Sequence, residues 1–105
     1  MLRIYSFIIE TLKVCGPLFQ QIAKHDVDLA RQARRAASSI ALNTAEAYGN
    51  TGGNETLRFR TALGSTQEVR AALDLAEAFG YVDSVDAELR DRFDRIAATL
   101  YRLTK

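Results

Sequence analysis

Hydrophobic residues recur along the chain at intervals of three and four positions, which is the spacing of one face of an α-helix. The chain has a single proline, and no segment alternates β-branched and polar residues as a strand would. The pattern therefore predicts an all-α protein. We predict four helices: the first from about Leu2 to Lys24, the second from Asp26 to about Tyr48, the third up to about Phe79, and the fourth with the stripe Val85, Leu89, Phe93, Ile96, Leu100 and Leu103.

Pro17 lies inside the first predicted helix, where a proline removes a hydrogen bond and clashes with the preceding turn. The apolar positions nevertheless stay in phase on both sides of Gly16-Pro17; they are Ile4, Ile8, Cys15, Leu18, Phe19 and Ile22. A single kinked helix is therefore favoured over two separate helices.

The predicted helix ends carry residues that commonly begin or end helices. The candidate N-terminal residues are Asp26 for the second helix, Thr51 or Asn54 for the third, and Asp83 with Asp86 for the fourth. Gly80 can adopt the left-handed turn that ends a helix. Because the connections are short, consecutive helices should be antiparallel. Residues 1–105 should then form one domain, an antiparallel up-down-up-down four-helix bundle.

The third helix is predicted to carry two apolar faces. One consists of Phe59, Ala62, Val69, Leu73 and Ala76, and the other, roughly 150° away around the helix, consists of Leu57, Ala72, Leu75 and Phe79. Leu42 and Ala45 likewise lie opposite the apolar stripe of the second helix. A surface helix of a bundle needs only one buried stripe, so the second face predicts contact with another copy of the chain. The alternative is a monomer in which the other helices crowd the third one.

A polar strip follows one edge of the second helix at intervals of three or four residues. Its members are Gln32, Arg35, Ser39, Asn43 and Glu46. On the third helix, Glu68 falls within the second apolar face, where a buried carboxylate would need a partner such as Arg35 or Asn43. We interpret this set as a structural network that fixes helix register. A catalytic or ligand-binding carboxylate is the alternative.

Composition excludes several classes of site. The chain has 105 residues, of which 48% are hydrophobic and 26% charged, as in a globular domain. One cysteine, Cys15, and one histidine, His25, exclude an internal disulfide and an ordinary zinc site. The sequence lacks the Glu-x-x-His pairs of a dimetal centre, so no metal and no cofactor are expected. We expect Cys15 to be an inert buried thiol and His25 to lie at a surface corner.

The apolar runs of the sequence are short. None approaches the roughly 20 residues that cross a bilayer, and the early charges do not resemble a signal peptide. The sequence therefore predicts a cytoplasmic protein that does not bind a membrane.

Charge is nearly balanced, with a net value of +1, but arginines are grouped. One group is Arg31, Arg34 and Arg35, a second is Arg58 and Arg60, and a third is Arg90, Arg92 and Arg95. The third group alternates with Asp91 and Asp94, which predicts a self-paired, solvated helix face. The first two groups have fewer acidic neighbours. They are candidates for binding the phosphates of RNA or DNA.

Two segments resemble a known family. The first is Gln32-Ala33-Arg34-Arg35-Ala36-Ala37-Ser38-Ser39-Ile40 leading to Asn43-Thr44-Ala45-Glu46, and the second is Ala62-Leu63-Gly64-Ser65-Thr66-Gln67-Glu68 leading to Ala76-Glu77-Ala78-Phe79-Gly80-Tyr81. They are similar to the motifs of the bacterial four-helix-bundle family of 23S rRNA intervening-sequence proteins. The accessory variability determinant of diversity-generating retroelements is related to this family. Ala47 and Asn50 depart from the family pattern, which usually has glycine and often a basic residue there.

The resemblance implies a four-helix protomer, a ring-shaped homopentamer and a non-enzymatic role. In the retroelement relative, a basic surface binds nucleic acid and reverse transcriptase. The resemblance also implies that Gln32, Arg35, Ser39, Asn43, Glu46 and Glu68 are structural members of the family motif. We therefore expect a ring that binds nucleic acid weakly through Arg31, Arg34, Arg35, Arg58 and Arg60. The alternative is a scaffold for a protein partner, without a role in nucleic-acid binding.

Overall fold

The computed structural model describes residues 3–49 and 53–105. Within these ranges the chain forms four α-helices and no strand: α1 (Arg3–Ala23), α2 (Val27–Gly49), α3 (Glu55–Ala78) and α4 (Ala87–Leu103). The predicted all-α class is confirmed, and the helices begin and end close to the predicted positions. The predicted start at Leu2 and the candidate cap Thr51 lie outside the described residues.

α1 is one continuous helix that includes Pro17. Gly16 and Pro17 are exposed, whereas Cys15 and Phe19 on either side are buried. The proline ring therefore lies on the solvent side, and the apolar stripe continues into the core. The prediction of one helix instead of two is confirmed, and the kink at Pro17 stays a prediction.

The helix ends follow the predicted residues with one exception. Asp26 Oδ1 accepts a hydrogen bond from the Leu29 backbone N–H at 2.9 Å, and Asp86 Oδ2 accepts one from the Leu89 N–H at 3.2 Å, so both act as N-caps. Asn54 is the N-cap residue of α3, but its side chain makes no capping hydrogen bond, and the prediction that it caps α3 is wrong in this respect.

Gly80 ends α3 in the left-handed conformation, with φ +75°. The N–H groups of Gly80 and Tyr81 donate to the carbonyl oxygens of Glu77 and Ala76 at 3.0 and 2.9 Å. These two bonds satisfy carbonyls that the helix end would otherwise leave unpaired. The predicted role of Gly80 is confirmed.

The core lies between the helices of a body that measures 43 × 24 × 20 Å. α2 packs against α1 and most extensively against α3, α3 packs against α4, and α4 returns to α1. The largest side chains that are completely or almost completely buried are Phe93, Ile8, Ile22, Ile40, Leu73, Ile96 and Leu100. α2 contributes mainly small residues to the core, so its backbone can approach α3 closely.

The buried polar residues of the described core are Thr11, Thr44 and Thr66; Thr44 Oγ1 has no hydrogen-bond partner, whereas the other two hydroxyls are bonded to the backbone. Thr11 and Thr66 donate to the carbonyl oxygens of Phe7 and Ala62 at 2.8 and 2.9 Å. Cys15 is completely buried, and burial raises the pKa of its thiol to about 12, as expected for an inert thiol. Among the described helices, none has both the length and the hydropathy needed to span a membrane.

Candidate interaction surfaces

Large apolar side chains are exposed on the outer sides of α2 and α3. Leu42, Leu57, Leu75 and Phe79 are between 42% and 66% exposed, and we call these four residues the outer apolar face. Ala45 is half-buried. Ala72 is only 5% exposed in the single chain, so the prediction that it lies on the outer side of α3 is wrong. The side chain of Ala72 is small and lies close enough to the core to be buried within the single chain.

Along α3, Leu57, Gly64, Glu68 and Leu75 follow one another at intervals that bring them to one side of the helix. All four are exposed. A Cβ atom added to Gly64 would meet nothing within 4 Å. A glycine inside a helix costs roughly 0.5–1 kcal/mol relative to alanine, and packing within the chain gives no reason for it.

Glu68 is exposed in the single chain, so burial of its carboxylate would require contact with another copy. Glu68 shares an open groove of about 510 Å³ with Gln32, Arg35, Ser39 and Ser65. Within the described residues, neither Glu68 nor Arg35 belongs to an ion pair, so the expected pairing of these two side chains is not formed. Gln32 also lies at this groove and is exposed.

The rest of the predicted polar set forms a chain of hydrogen bonds between α2 and α3. Ser65 Oγ donates to Ser39 Oγ at 2.7 Å, and Asn43 Nδ2 donates to the same oxygen at 3.0 Å. Arg58 Nη1 donates to Asn43 Oδ1 at 3.3 Å, and Arg58 Nη2 lies 3.0 Å from Glu46 Oε1. The structure thus brings Ser39, Asn43 and Glu46 together.

The sequence analysis did not identify two members of this hydrogen-bond network, Ser65 and Arg58. Arg58 was predicted to bind nucleic acid, but its side chain is largely engaged with α2, and its Nε is buried without an acceptor. The pattern of α2 indicates that Asn43 and Glu46 can bond to a residue of α3. It does not indicate that this residue is Arg58.

The five candidate arginines do not form one cluster. Arg31 pairs with Asp28 at 3.0 Å, and Arg58 pairs with Glu46. Arg34, Arg35 and Arg60 are exposed, and in the described part of the chain they have no ion-pair partner. Since Arg58 contacts Asn43, it lies about 12 Å along the bundle from Arg35, at 1.5 Å per residue.

The arginines of the third group do not pair with Asp91 and Asp94 of their own helix, so the prediction of a self-paired helix face is wrong. Arg90 crosses to α3 and pairs with Asp74 at 2.9 Å and Glu77 at 3.0 Å, while Asp94 pairs with Arg70 at 2.8 Å. Arg92 and Arg95 instead lie over the ring of Phe7 on α1. An aromatic ring on another helix can hold a guanidinium as a carboxylate would, and the sequence of α4 alone does not reveal it.

Glu77 ties the connection between α3 and α4 to the bundle. Its Oε2 accepts the Val85 backbone N–H at 2.5 Å, and its Oε1 lies 3.0 Å from Arg90 Nη2. The bond from Val85 and then the one from Arg90 lower the pKa of this carboxyl. At the same end of the bundle, exposed His25 stacks on Tyr81 with ring centroids 5.3 Å apart, so its predicted corner position is confirmed.

The described residues contain no group of three or more histidine, cysteine, aspartate or glutamate side chains that could hold a metal ion. Comparison with curated proteins and with solved structures gives no significant match. The model of one protein family, 23S rRNA-intervening sequence protein, matches residues 3–102. The chain therefore belongs to this family, as the motifs in α2 and α3 predicted.

Proposed function

We propose that this protein is a non-enzymatic binding protein whose copies associate through the outer sides of α2 and α3. The observation that carries the proposal is the outer apolar face, Leu42, Leu57, Leu75 and Phe79. Burying a leucine or phenylalanine side chain that is otherwise exposed contributes about 1.5–3 kcal/mol. Contact with a second copy would remove these side chains from water.

Gly64 supports the same surface. Because it lies exposed on α3 between Leu57 and Leu75, a glycine there lets the helix of another chain approach closely. The unpaired Glu68 lies one turn further along and would be enclosed by such a contact. Exposed Arg34 and Arg35 on α2 carry the opposite charge, so α2 of one copy complements α3 of the next.

The up-down antiparallel topology belongs to this proposal, and contacts between side chains support it. From α2 to α3, residue 43 meets residue 58 and residue 39 meets residue 65. From α3 to α4, residue 74 meets residue 90 and residue 70 meets residue 94. In both pairs the numbers rise in one helix as they fall in the other.

A contact between different faces of identical chains is head-to-tail, and it gives a ring when the rotation closes. We infer a ring of five copies, the number that the family resemblance implies. Each copy in the ring would present its own Arg34, Arg35 and Arg60. For this reason we propose weak binding of RNA or DNA, with an affinity that falls steeply as salt rises. The neutralised Arg31 and Arg58 favour the second candidate function, a scaffold for a protein partner.

Native mass in solution tests the proposal. Sedimentation velocity should show an assembly several times heavier than the 11.7 kDa chain. Leu75→Glu and Gly64→Arg should each reduce it to a folded single chain, because a charge or a long side chain blocks the contact. Val14→Glu is the matched control for Leu75→Glu: Val14 is also apolar and exposed, but it lies on α1, and its substitution should leave the mass unchanged. A wild-type chain that sediments as a monomer contradicts self-association.

Binding of nucleic acid is tested separately, by anisotropy titration of a labelled oligonucleotide. We expect affinity at low salt that falls as salt rises. Affinity that does not change with ionic strength contradicts this mode of binding. A single stoichiometric protein partner that survives nuclease treatment in a pull-down would favour the scaffold instead.

A further inference from the structure

Two arginines of α4 converge on one aromatic ring of α1. The Cζ atoms of Arg92 and Arg95 lie 4.9 and 4.6 Å from the centroid of the Phe7 ring. Contact with the ring holds each guanidinium in place while its N–H groups remain free to donate in its own plane. Arg92 uses one of them on Thr11 Oγ1 at 3.2 Å, which fixes this side chain further.

Positive charge around this ring exceeds what the protein neutralises. Arg3, from the first turn of α1, lines a groove of about 340 Å³ together with Ile4, Phe7, Arg95 and Thr99. The acidic residues closest in sequence are Glu10 on α1 and Asp91 and Asp94 on α4. Asp94 is paired with Arg70 on α3. Among the described residues, none forms an ion pair with Arg3, Arg92 or Arg95.

A bound anion would relieve the repulsion between these positive charges. Like charges repel, and the face of Phe7 offsets only part of the repulsion. Arginine donors fit the oxygens of a phosphate group in pairs, and an arginine that is already oriented loses less entropy on binding. Arg92, Arg95, Thr99 and Arg102 also follow at intervals of three, four and three residues. They therefore form one row about 15 Å long on α4, at 1.5 Å per residue.

We propose that the groove between α1 and α4 is a binding site for a phosphate group, held by Arg3 and Arg95 with the hydroxyl of Thr99, and supported by Arg92 on Phe7. The site is distinct from the arginines of α2 and α3 considered above. It does not depend on self-association, because all its residues lie on α1 and α4. Its ligand is either a free phosphate compound or a phosphate of a nucleic-acid strand.

The test uses two probes, inorganic phosphate and a labelled single-stranded oligonucleotide, with the full chain. Addition of inorganic phosphate should shift the NMR signals of the Arg3, Arg95 and Thr99 backbone amides. Arg3→Gln/Arg95→Gln alters only exposed side chains, so this variant should fold. It should weaken binding of whichever probe binds the wild type about tenfold or more, as expected for charge-assisted hydrogen bonds. Lys13→Gln/Lys24→Gln removes the same charge from exposed positions outside the groove and should change affinity less than about twofold.

The source of the phosphate follows from the two probes. Oligonucleotide binding that inorganic phosphate competes away, and that weakens between about 50 and 200 mM salt, identifies a strand. Binding of inorganic phosphate without the oligonucleotide identifies a small ligand. The proposal is overturned if neither probe binds, or if both double variants lose affinity equally. It is also overturned if Arg34→Gln/Arg60→Gln abolishes binding while Arg3→Gln/Arg95→Gln does not, a result that would favour the α2–α3 arginines instead.

The monomeric variant Leu75→Glu separates this inference from the proposed assembly. If the groove is a phosphate site, Leu75→Glu should still bind inorganic phosphate with the affinity of the wild type. A wild-type chain that is monomeric and yet binds phosphate would contradict the assembly alone. A multimeric chain that does not bind either probe would contradict the phosphate site alone.

Discussion

α3 and α4 are neighbours in the bundle, yet they distribute their apolar residues differently. α4 buries its stripe of Leu89, Phe93, Ile96 and Leu100, and most of its remaining surface is charged or small. α3 buries a stripe of its own and also exposes Leu57, Leu75 and Phe79. Folding of one chain explains the apolar pattern of α4 except for the exposed Tyr101, and it explains the pattern of α3 only on one side. The unexplained side is therefore where a second molecule should be sought.

The largest effect is expected at Arg35. If assembly encloses Glu68, removing the arginine that faces it in the same groove leaves a buried charge without a partner. Arg35→Ala should then weaken the assembly by about 3–5 kcal/mol. The dissociation constant from sedimentation equilibrium measures the effect.

The double variant Arg35→Ala/Glu68→Ala provides the control, since it removes the unpaired carboxylate as well. It should recover most of the lost affinity. Assembly and melting temperature that stay unchanged in Arg35→Ala would refute any dependence of Glu68 on this arginine.

Leu73 and Leu75 compare the two sides of α3 within two positions of the chain. Leu73 is buried and Leu75 exposed, so in the monomeric Gly64→Arg background Leu73→Ala should lower the free energy of unfolding by about 2–5 kcal/mol. Leu75→Ala should change it by less than about 0.5 kcal/mol. Urea denaturation monitored by circular dichroism measures both. Equal losses would mean that Leu75 is buried within the single chain.

The N-termini of α3 and α4 differ in their capping: a side chain caps α4 but not α3. Asp86→Ala removes a capping bond to Leu89 and should cost about 1 kcal/mol of unfolding free energy. Asn54→Ala should cost clearly less, because the Asn54 side chain makes no capping bond. Thermal unfolding of the two variants compares them directly. A larger loss for Asn54→Ala would show that α3 is capped in solution.

The smallest effect concerns Glu77, which links the two helices and is partly exposed. Its pKa is lowered from the usual 4.5, so the carboxylate stabilises the fold above that pH, and the contribution disappears as pH falls through the lower value of the folded state. Glu77→Gln should therefore melt below the wild type at pH 7, and the difference should shrink in acid. Glu10→Gln, at an exposed site in the middle of α1, is the control for the loss of one negative charge. A difference that grows in acid would contradict the assignment.

Local rules predicted most of the fold. Periodicity located the helices. Asp26 and Asp86 begin helices and Gly80 ends one through interactions with residues nearby in the sequence, so these positions could be predicted from the sequence. The continuous phase of the apolar stripe on both sides of Pro17 also predicted correctly that α1 is one helix. Family membership also followed from short motifs.

Contacts between helices were predicted less well. The angle around a helix wheel does not tell how far a neighbouring helix reaches, so Ala72 was placed on the outer side although the single chain buries it. The partners of Arg58, Arg92 and Arg95 lie on other helices. For Arg92 and Arg95 the neighbouring Asp91 and Asp94 indicated the wrong partners, and for Arg58 the sequence indicated nucleic acid instead of Glu46. Such pairings depend on helix register, which is fixed only when the bundle is assembled.

Cys15, the one cysteine of the chain, gives the molecule a built-in reporter of opening. Its thiol lies in the core and resists ionisation, so an alkylating reagent reacts only when α1 leaves its neighbours. Labelling rates would then measure how often native molecules expose their interior under conditions in which unfolding is too rare to see by spectroscopy. The same burial should keep the native protein from cross-linking through disulfides in air.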